Sequence, residues 1–322
     1  MAHEIHRDAS GKAHFAYVGS TPWHGLGQLL TPDASLAVWT QEAGFNWQIE
    51  RGDVMTELAD GSKIVMPERN LLYRSDTKVP LAVVGSKYKI VQPTEILHFY
   101  EDLIGAAGFT LETAGMLFGG RRFFAMARTN YSDEVLAGDK VDQFLLLTTA
   151  CDGSLATTAK FTSVRVVCNN TLTMSLHHDS KQNTVKVPHS ASFDPKKVKE
   201  TLGIAGETFD NFLVDMRKLA ETPMSKNEAI NFLIELVGDP MESLEDQTPG
   251  AANLMTHLFN LWNTDSIGNE LAGHTHWGML NAVTEFYDHH TGHKTRDAAL
   301  NNTWFGEGEK LKLQAYDMLV AD

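Results

Sequence analysis

One change of rhythm constrains this chain more than any other feature. Up to about residue 180, apolar residues come in strand-length runs broken by glycine turns, whereas beyond about residue 200 they recur at helical spacing. In the first part, 53–91 reads as short strands. Ala59-Asp60-Gly61-Ser62 is a hairpin turn between 54–58 and 63–66, and 70–74 and 81–84 follow as strands. Residues 109–117, 122–128, 142–149 and 155–161 continue the series, turned by Gly119-Gly120 and by Cys151-Asp152-Gly153-Ser154. Two helices interrupt it. Asp33 caps a short one carrying Leu36, Val38 and Trp39 toward Gly44. Pro93-Thr94 opens another whose Ile96, Leu97, Tyr100, Leu103 and Ile104 share a face before Gly105 and Gly108. Phe45, Trp47 and Ile49 alternate as a strand between the two helices.

In the second part, Phe209, Phe212, Leu213, Met216 and Leu219 lie on one helical face. Ser225 with Glu228 forms a capping box ahead of Ile230, Leu233, Ile234 and Val237. Helices follow over 253–262, 277–287 and 309–319. The expected fold class is α+β, a mixed or antiparallel sheet body with a helical C-terminal region. The expected domains are an α+β body with an N-terminal arm over 1–180, a basic connector over 181–200 and a helical region over 201–322.

With 322 residues, 43% hydrophobic and 21% charged, the chain buries a core without staples, which excludes a disulfide scaffold, a collagen-like rod and a disordered tail. Its two cysteines, Cys151 and Cys168, are too few for a four-cysteine zinc site and suit a reducing compartment. Buried free thiols on strands are the preferred reading, with a bridge between them left open. The first residues, Met1-Ala2-His3-Glu4-Ile5-His6-Arg7-Asp8, hold no apolar core of a signal peptide, and no apolar run approaches a membrane span. A cytoplasmic protein of a bacterial host cell, with no membrane partner, is expected.

The net charge of −14 is unevenly placed. Residues 153–199 carry seven basic against two acidic residues, while 203–290 carry three basic against fourteen acidic. A basic segment beside an acidic helical region suits a polyanion-binding groove with a self-shielding back, and it equally suits ordinary solvated surfaces. The acidic total argues against tight non-specific duplex binding.

Three local patterns can serve such a groove. Arg165-Val166-Val167-Cys168-Asn169-Asn170-Thr171-Leu172 ends a strand in two amides with an arginine just before them. Asn169 and Asn170 can read a base edge or close an Asx-turn, and Arg165 can hold a phosphate or a carboxylate. Arg121 and Arg122 follow Gly119-Gly120, where glycine permits close approach and paired arginines suit phosphates. Lys87-Tyr88-Lys89 sets a ring for base stacking between two cations. With Lys160, these residues form the candidate nucleic-acid set.

Chemistry is less marked. There is no Gly-x-Ser-x-Gly, no phosphate loop and no Gly-x-Gly-x-x-Gly leading a strand into a helix, so no catalytic residue and no cofactor are assigned. His274, His276, Asp288 and His289 are weak metal candidates. The helix between the two pairs holds them about 15 Å apart at about 1.5 Å per residue, too far to share one ion. Trp23, flanked by Pro22 and Gly25, reads as an anchor of the N-terminal arm.

Several stretches resemble phage/plasmid-like proteins grouped as domain-of-unknown-function family 932. They are Met1-Ala2-His3-Glu4 with Thr21-Pro22-Trp23-His24-Gly25-Leu26-Gly27, Val84-Gly85-Ser86-Lys87-Tyr88-Lys89-Ile90-Val91-Gln92-Pro93, the Arg165–Leu172 stretch quoted above, and Trp277-Gly278-Met279-Leu280-Asn281-Ala282-Val283-Thr284-Glu285-Phe286-Tyr287-Asp288-His289. The resemblance implies a mobile-element protein and carries no catalytic residues with it. The expected function is nucleic-acid binding, single-stranded DNA first, by a homo-oligomeric ring or filament supporting recombination or replication. An alternative is a non-enzymatic inhibitor of a host protein that mimics DNA with its acidic surface, and a third is a metal-dependent nuclease.

Overall fold

The computed structural model describes residues 12–19, 27–101, 103–104, 108–165, 170–173, 184–202, 206–264, 269–292 and 296–321. Trp23, His24, Cys168 and Asn169 lie outside them.

The protein is α+β. Its larger sheet contains β1 (Phe15–Val18), β2 (Gln28–Leu30), β6 (Thr110–Leu117), β7 (Arg122–Glu134), β8 (Lys140–Ala150), β9 (Thr157–Arg165), β10 (Asn170–Thr173) and β11 (Thr184–Val187). The order is β10-β9-β8-β7-β6-β1-β2, with β11 also pairing β9. β1 and β2 run parallel, whereas β1–β6, β6–β7, β9–β10 and β9–β11 are antiparallel, so the sheet is mixed. A separate meander of β3 (Ile49–Glu57), β4 (Lys63–Arg74) and β5 (Pro80–Gly85) has the order β3-β4-β5. The helices are α1 (Leu36–Glu42), α2 (Pro93–His98), α3 (Pro195–Leu202), α4 (Gly206–Glu221), α5 (Lys226–Val237), α6 (Pro249–Asn263), α7 (His276–Glu285), α8 (Arg296–Phe305) and α9 (Glu307–Ala321), with a π-helical turn over Phe286–His290. None of these helices is long and apolar enough to cross a membrane.

Several local expectations shift. Ser35, not Asp33, caps α1, its side chain accepting from the Val38 N–H at 3.4 Å. Phe45 and Trp47 are buried but precede β3, which starts at Ile49. α2 ends at His98, and helical backbone resumes at Glu101, Leu103 and Ile104, just before the expected glycines. Residues 181–200, expected as a connector, contain β11 and α3, and α8 had no apolar stripe to announce it. The Ser225–Glu228 capping box forms, Glu228 accepting from the Ser225 N–H at 2.7 Å.

Two compact units are present, one of 1–130, 144–160 and 184–204, the other of 131–143, 161–183 and 205–322. In the first, Phe45 and Trp47 both pack against Phe123 at 5.6 Å between ring centroids. Tyr100 is fully buried and donates its hydroxyl to both Ala125 O and Leu145 O, at 2.8 and 2.9 Å, joining α2's trailing end to β7 and β8. In the second, Phe209, Phe212, Trp262, Met279 and Tyr316 are buried, and the Trp277 indole N–H donates to Asp139 at 2.8 Å.

Candidate nucleic-acid interface in the first unit

Four connections of the first unit meet around Tyr88. The loop after β5 carries Lys87, Tyr88 and Lys89. The β8–β9 turn carries Cys151 to Ala156, the β6–β7 turn carries Phe118 to Arg121, and Pro188 to Ser190 follow β11. Backbone chemistry ties them together. The Tyr88 hydroxyl donates to Ala150 O at 2.8 Å, the Cys151 N–H donates to Arg121 O at 2.8 Å, and the Lys89 N–H donates to His189 O at 2.6 Å. Arg51 from β3 donates to Ser86 O at 3.4 Å and also to Tyr88 O.

The Tyr88 and His189 rings stack at 4.5 Å between centroids and 18° between planes. His189 is fixed from both sides, Nδ1 lying 3.1 Å from Lys89 O and Nε2 3.1 Å from Leu155 O. Both partners are carbonyls and can only accept, so an imidazolium donates to both and a neutral ring to one. Beside the stack is a cavity of about 390 Å³ lined by Gly85, Lys87, Tyr88, Gly153, His189 and Ser190, among others. Lys87 and Lys89 are exposed. Nothing crowds the α-carbons of Gly85 and Gly153, so a ligand can approach the backbone there, and Gly153 also needs its positive φ of 76°. Burial pushes the Tyr88 phenol up, aided by Cys151 and Asp152, which keeps it a donor. Burial likewise raises the Cys151 thiol to about 12, so this free cysteine is no nucleophile.

The Gly119-Gly120 pair serves packing more than ligand approach. Phe118, Gly119 and Gly120 turn with φ of 54°, 71° and 97°. A Cβ on Gly120 would sit 2.7 Å from Trp47 and 3.1 Å from the Arg74 guanidinium. Arg74 itself lies 4.1 Å over the Trp47 ring and donates to Gly119 O at 3.3 Å. The two arginines that follow have different surroundings. Arg121 is exposed, its Nε donating to Phe118 O at 3.1 Å. Arg122 is buried, donates to Ser154 Oγ at 2.9 Å and has its pKa lowered by burial.

The other candidates separate. Lys160 is buried in β9. Arg165 and Asn170 face each other in the β9–β10 register, in the second unit, and Asn169 is outside the described residues. The metal candidates, all in the second unit, reach no common centre. His274 packs on Trp262 at 4.8 Å, His276 Nδ1 faces Leu319 O at 3.5 Å, and buried Asp288 pairs with Lys312 Nζ at 2.7 Å. Among the described residues, no group of three or more His, Cys, Asp or Glu could hold a metal ion. His189, Ser190 and Arg51 went unread in the sequence. His189 lies a hundred residues from Lys89, and only Pro188 hinted at a fixed turn there.

The site defines a class, an α+β protein with an aromatic and basic pocket built from sheet-end loops. Residues 80–304 match the family described as a domain of unknown function, DUF932, and the chain belongs to that family. No curated protein and no solved structure matches the chain.

Proposed function

We propose that this protein binds single-stranded nucleic acid at the Tyr88–His189 pocket, as a component of a phage or plasmid that supports recombination or replication. The observation carrying this reading is the stacked Tyr88–His189 pair beside a cavity of about 390 Å³, with exposed Lys87 and Lys89 on the same loop. A base entering the cavity adds a ring to an existing stack, and the lysines with exposed Arg121 hold its phosphates. A single strand suits the pocket because its bases are free to leave their neighbours. The net charge of −14 works against uniform duplex binding.

Fluorescence anisotropy of a labelled single-stranded oligonucleotide across a salt series tests the proposal. The expected result is saturable binding that weakens linearly against log salt. The triple variant Lys87→Ala/Lys89→Ala/Arg121→Ala should flatten that slope by about 2, at about 0.7 per lost phosphate contact. Absence of binding at low salt sinks the reading.

The acidic helices support a second reading, a protein partner that presents a DNA-like surface to a basic groove of a host protein. Glu221, Glu235, Asp239, Glu242, Glu245 and Asp246 are all exposed on or between α4, α5 and α6. Such a mimic binds no oligonucleotide at any salt and displaces one from a basic DNA-binding protein.

A further inference from the structure

The second unit holds a small apolar cavity of its own, about 160 Å³, opening between α5 and α6. Ile230 and Leu233 come from one helix, Met255, Thr256 and Phe259 from the other, and Leu244 from the connection between them. Leu233 and Met255 are buried, whereas Thr256 and Leu244 reach the surface. Buried Gln247 holds the connection in one shape. Its side-chain amide donates to Asp239 O at 2.8 Å and to Glu242 O at 3.1 Å, and its side-chain carbonyl accepts from the Asp239 N–H at 2.8 Å. Gly238 makes room for this arrangement, since a Cβ there would lie 2.8 Å from both Gln247 Oε1 and Ile234 O. The mouth is therefore pre-organised, and it leaves Met241 91% exposed and Leu244 47% exposed.

A cavity of about 150 Å³ lined by Leu, Ile and Phe holds a benzene-sized group. The charge around this one selects the kind of molecule that carries the group. Glu242, Glu245 and Asp246 are exposed on the same connection as Leu244. Between Lys226 and Lys294 the chain has no lysine or arginine, so no cation of the connection or of α6 neutralises these carboxylates. Nucleic acid and an anionic membrane surface are repelled by such a rim. A second copy seated on the same face would set carboxylates against carboxylates. The chain's own basic helix α3 offers no anchor, because Val198, between Lys197 and Lys199, is only 3% exposed.

We infer that the cavity receives a phenylalanine or leucine side chain from a segment of a partner protein that carries lysine or arginine on either side of it. The apolar side chain fills the cavity and excludes water, and its flanking cations meet Glu242, Glu245 and Asp246 at the rim. A buried apolar anchor inside a polar border is how a small interface concentrates its binding energy. The rim charges speed encounter and reject acidic segments. The inference is separate from nucleic-acid binding at Tyr88. It also differs from a DNA-like acidic surface, which is read by charge alone and needs no apolar pocket.

Selection of a displayed library of short random peptides on the full chain tests this. Enriched peptides should carry phenylalanine or leucine with lysine or arginine close on both sides. One such peptide, labelled and titrated by fluorescence anisotropy, should lose affinity at least about tenfold when its apolar anchor becomes alanine. Its binding should also weaken as salt rises. Thr256→Trp, which fills the cavity from an exposed helix position, should cause the same loss without lowering the melting temperature. Leu244→Asp, on the exposed wall of the cavity, is a second variant with the same expected loss. No enrichment over a blank surface overturns the inference, as do enriched peptides without this pattern. So does a peptide bound equally by the wild type and both pocket variants, and in that case charge alone holds it, as the DNA-like reading requires.

Discussion

The loop end of the first unit and the helical packing of the second use charge in opposite ways. Around the Tyr88 pocket, Lys87, Lys89 and Arg121 stay in solvent, and the buried cation Arg74 is spread over an aromatic face, a carboxylate, a carbonyl and a sulfur. Among the described residues of the helices most acids are outside, and the buried ion pair is one close contact. Lys312 and Asp288 meet at 2.7 Å with side chains only 2% and 4% exposed, Asp288 lying in the π-helical turn. The comparison teaches that residue type does not reveal the job. Asp288 invites a metal reading and Arg122 a phosphate reading, yet both are interior groups. At the pocket, exposed cations lie beside a fixed pair of stacked rings, which is why that surface carries the functional proposal.

The sharpest way to break the contrast is at the buried pair. Removing one partner strands a charge in a low-dielectric interior, so Asp288→Ala should cost about 3–5 kcal/mol in denaturant unfolding. The double variant Asp288→Leu/Lys312→Met should recover most of it, since apolar groups of similar size need no partner. If Asp288→Ala leaves stability unchanged, the pair is not the second unit's anchor.

In the first unit the corresponding weak point is geometric. Gly120→Ala combines a φ of 97° with a Cβ 2.7 Å from Trp47. The expected loss is about 1–3 kcal/mol, and Gly119→Ala, with a φ of 71° but open space, should lose less. Equal losses would show that backbone strain alone decides this turn.

The smallest effect is pH-dependent. The Arg74 guanidinium, 2.7 Å away, holds the Asp76 carboxyl down to about 2 from the ordinary 3.8. A depressed acid stabilises the fold above its unfolded value and loses that contribution as pH falls. Stability from this pair is therefore complete above about pH 4 and fades toward about pH 2. Asp76 is 41% exposed, so solvent screening keeps the contribution small. Asp76→Asn should remove that part of the acid slope in a pH series of urea melts.

Much of the fold was legible. The 59–62 turn, the Gly119-Gly120 turn, the 151–154 turn and the Ser225 capping box all depend on contacts within a few residues, and all are present. The helix over 93–104 was read as one piece, whereas a turn at Phe99 and Tyr100 separates α2 from the helical residues Glu101, Leu103 and Ile104. Residues 184–187 were underread, because Thr184 to Val187 become a strand only when β9 supplies its edge. Within the site, Lys87, Tyr88, Lys89 and Arg121 were visible as local patterns. Their partner His189 was not, since nothing between residues 89 and 189 announces the stack.

The sequence by itself determined the glycine turns, the Ser225 cap, the α+β class and the uneven charge, because propensity, turn chemistry and period act over a few residues. Tertiary structure alone decided which charges are buried, which ring stacks on Tyr88 and which strand edge Thr184 to Val187 cover. Those outcomes depend on what residues far apart in the chain bring to the same place, and burial, stacking and edge pairing are properties of that neighbourhood rather than of any one segment.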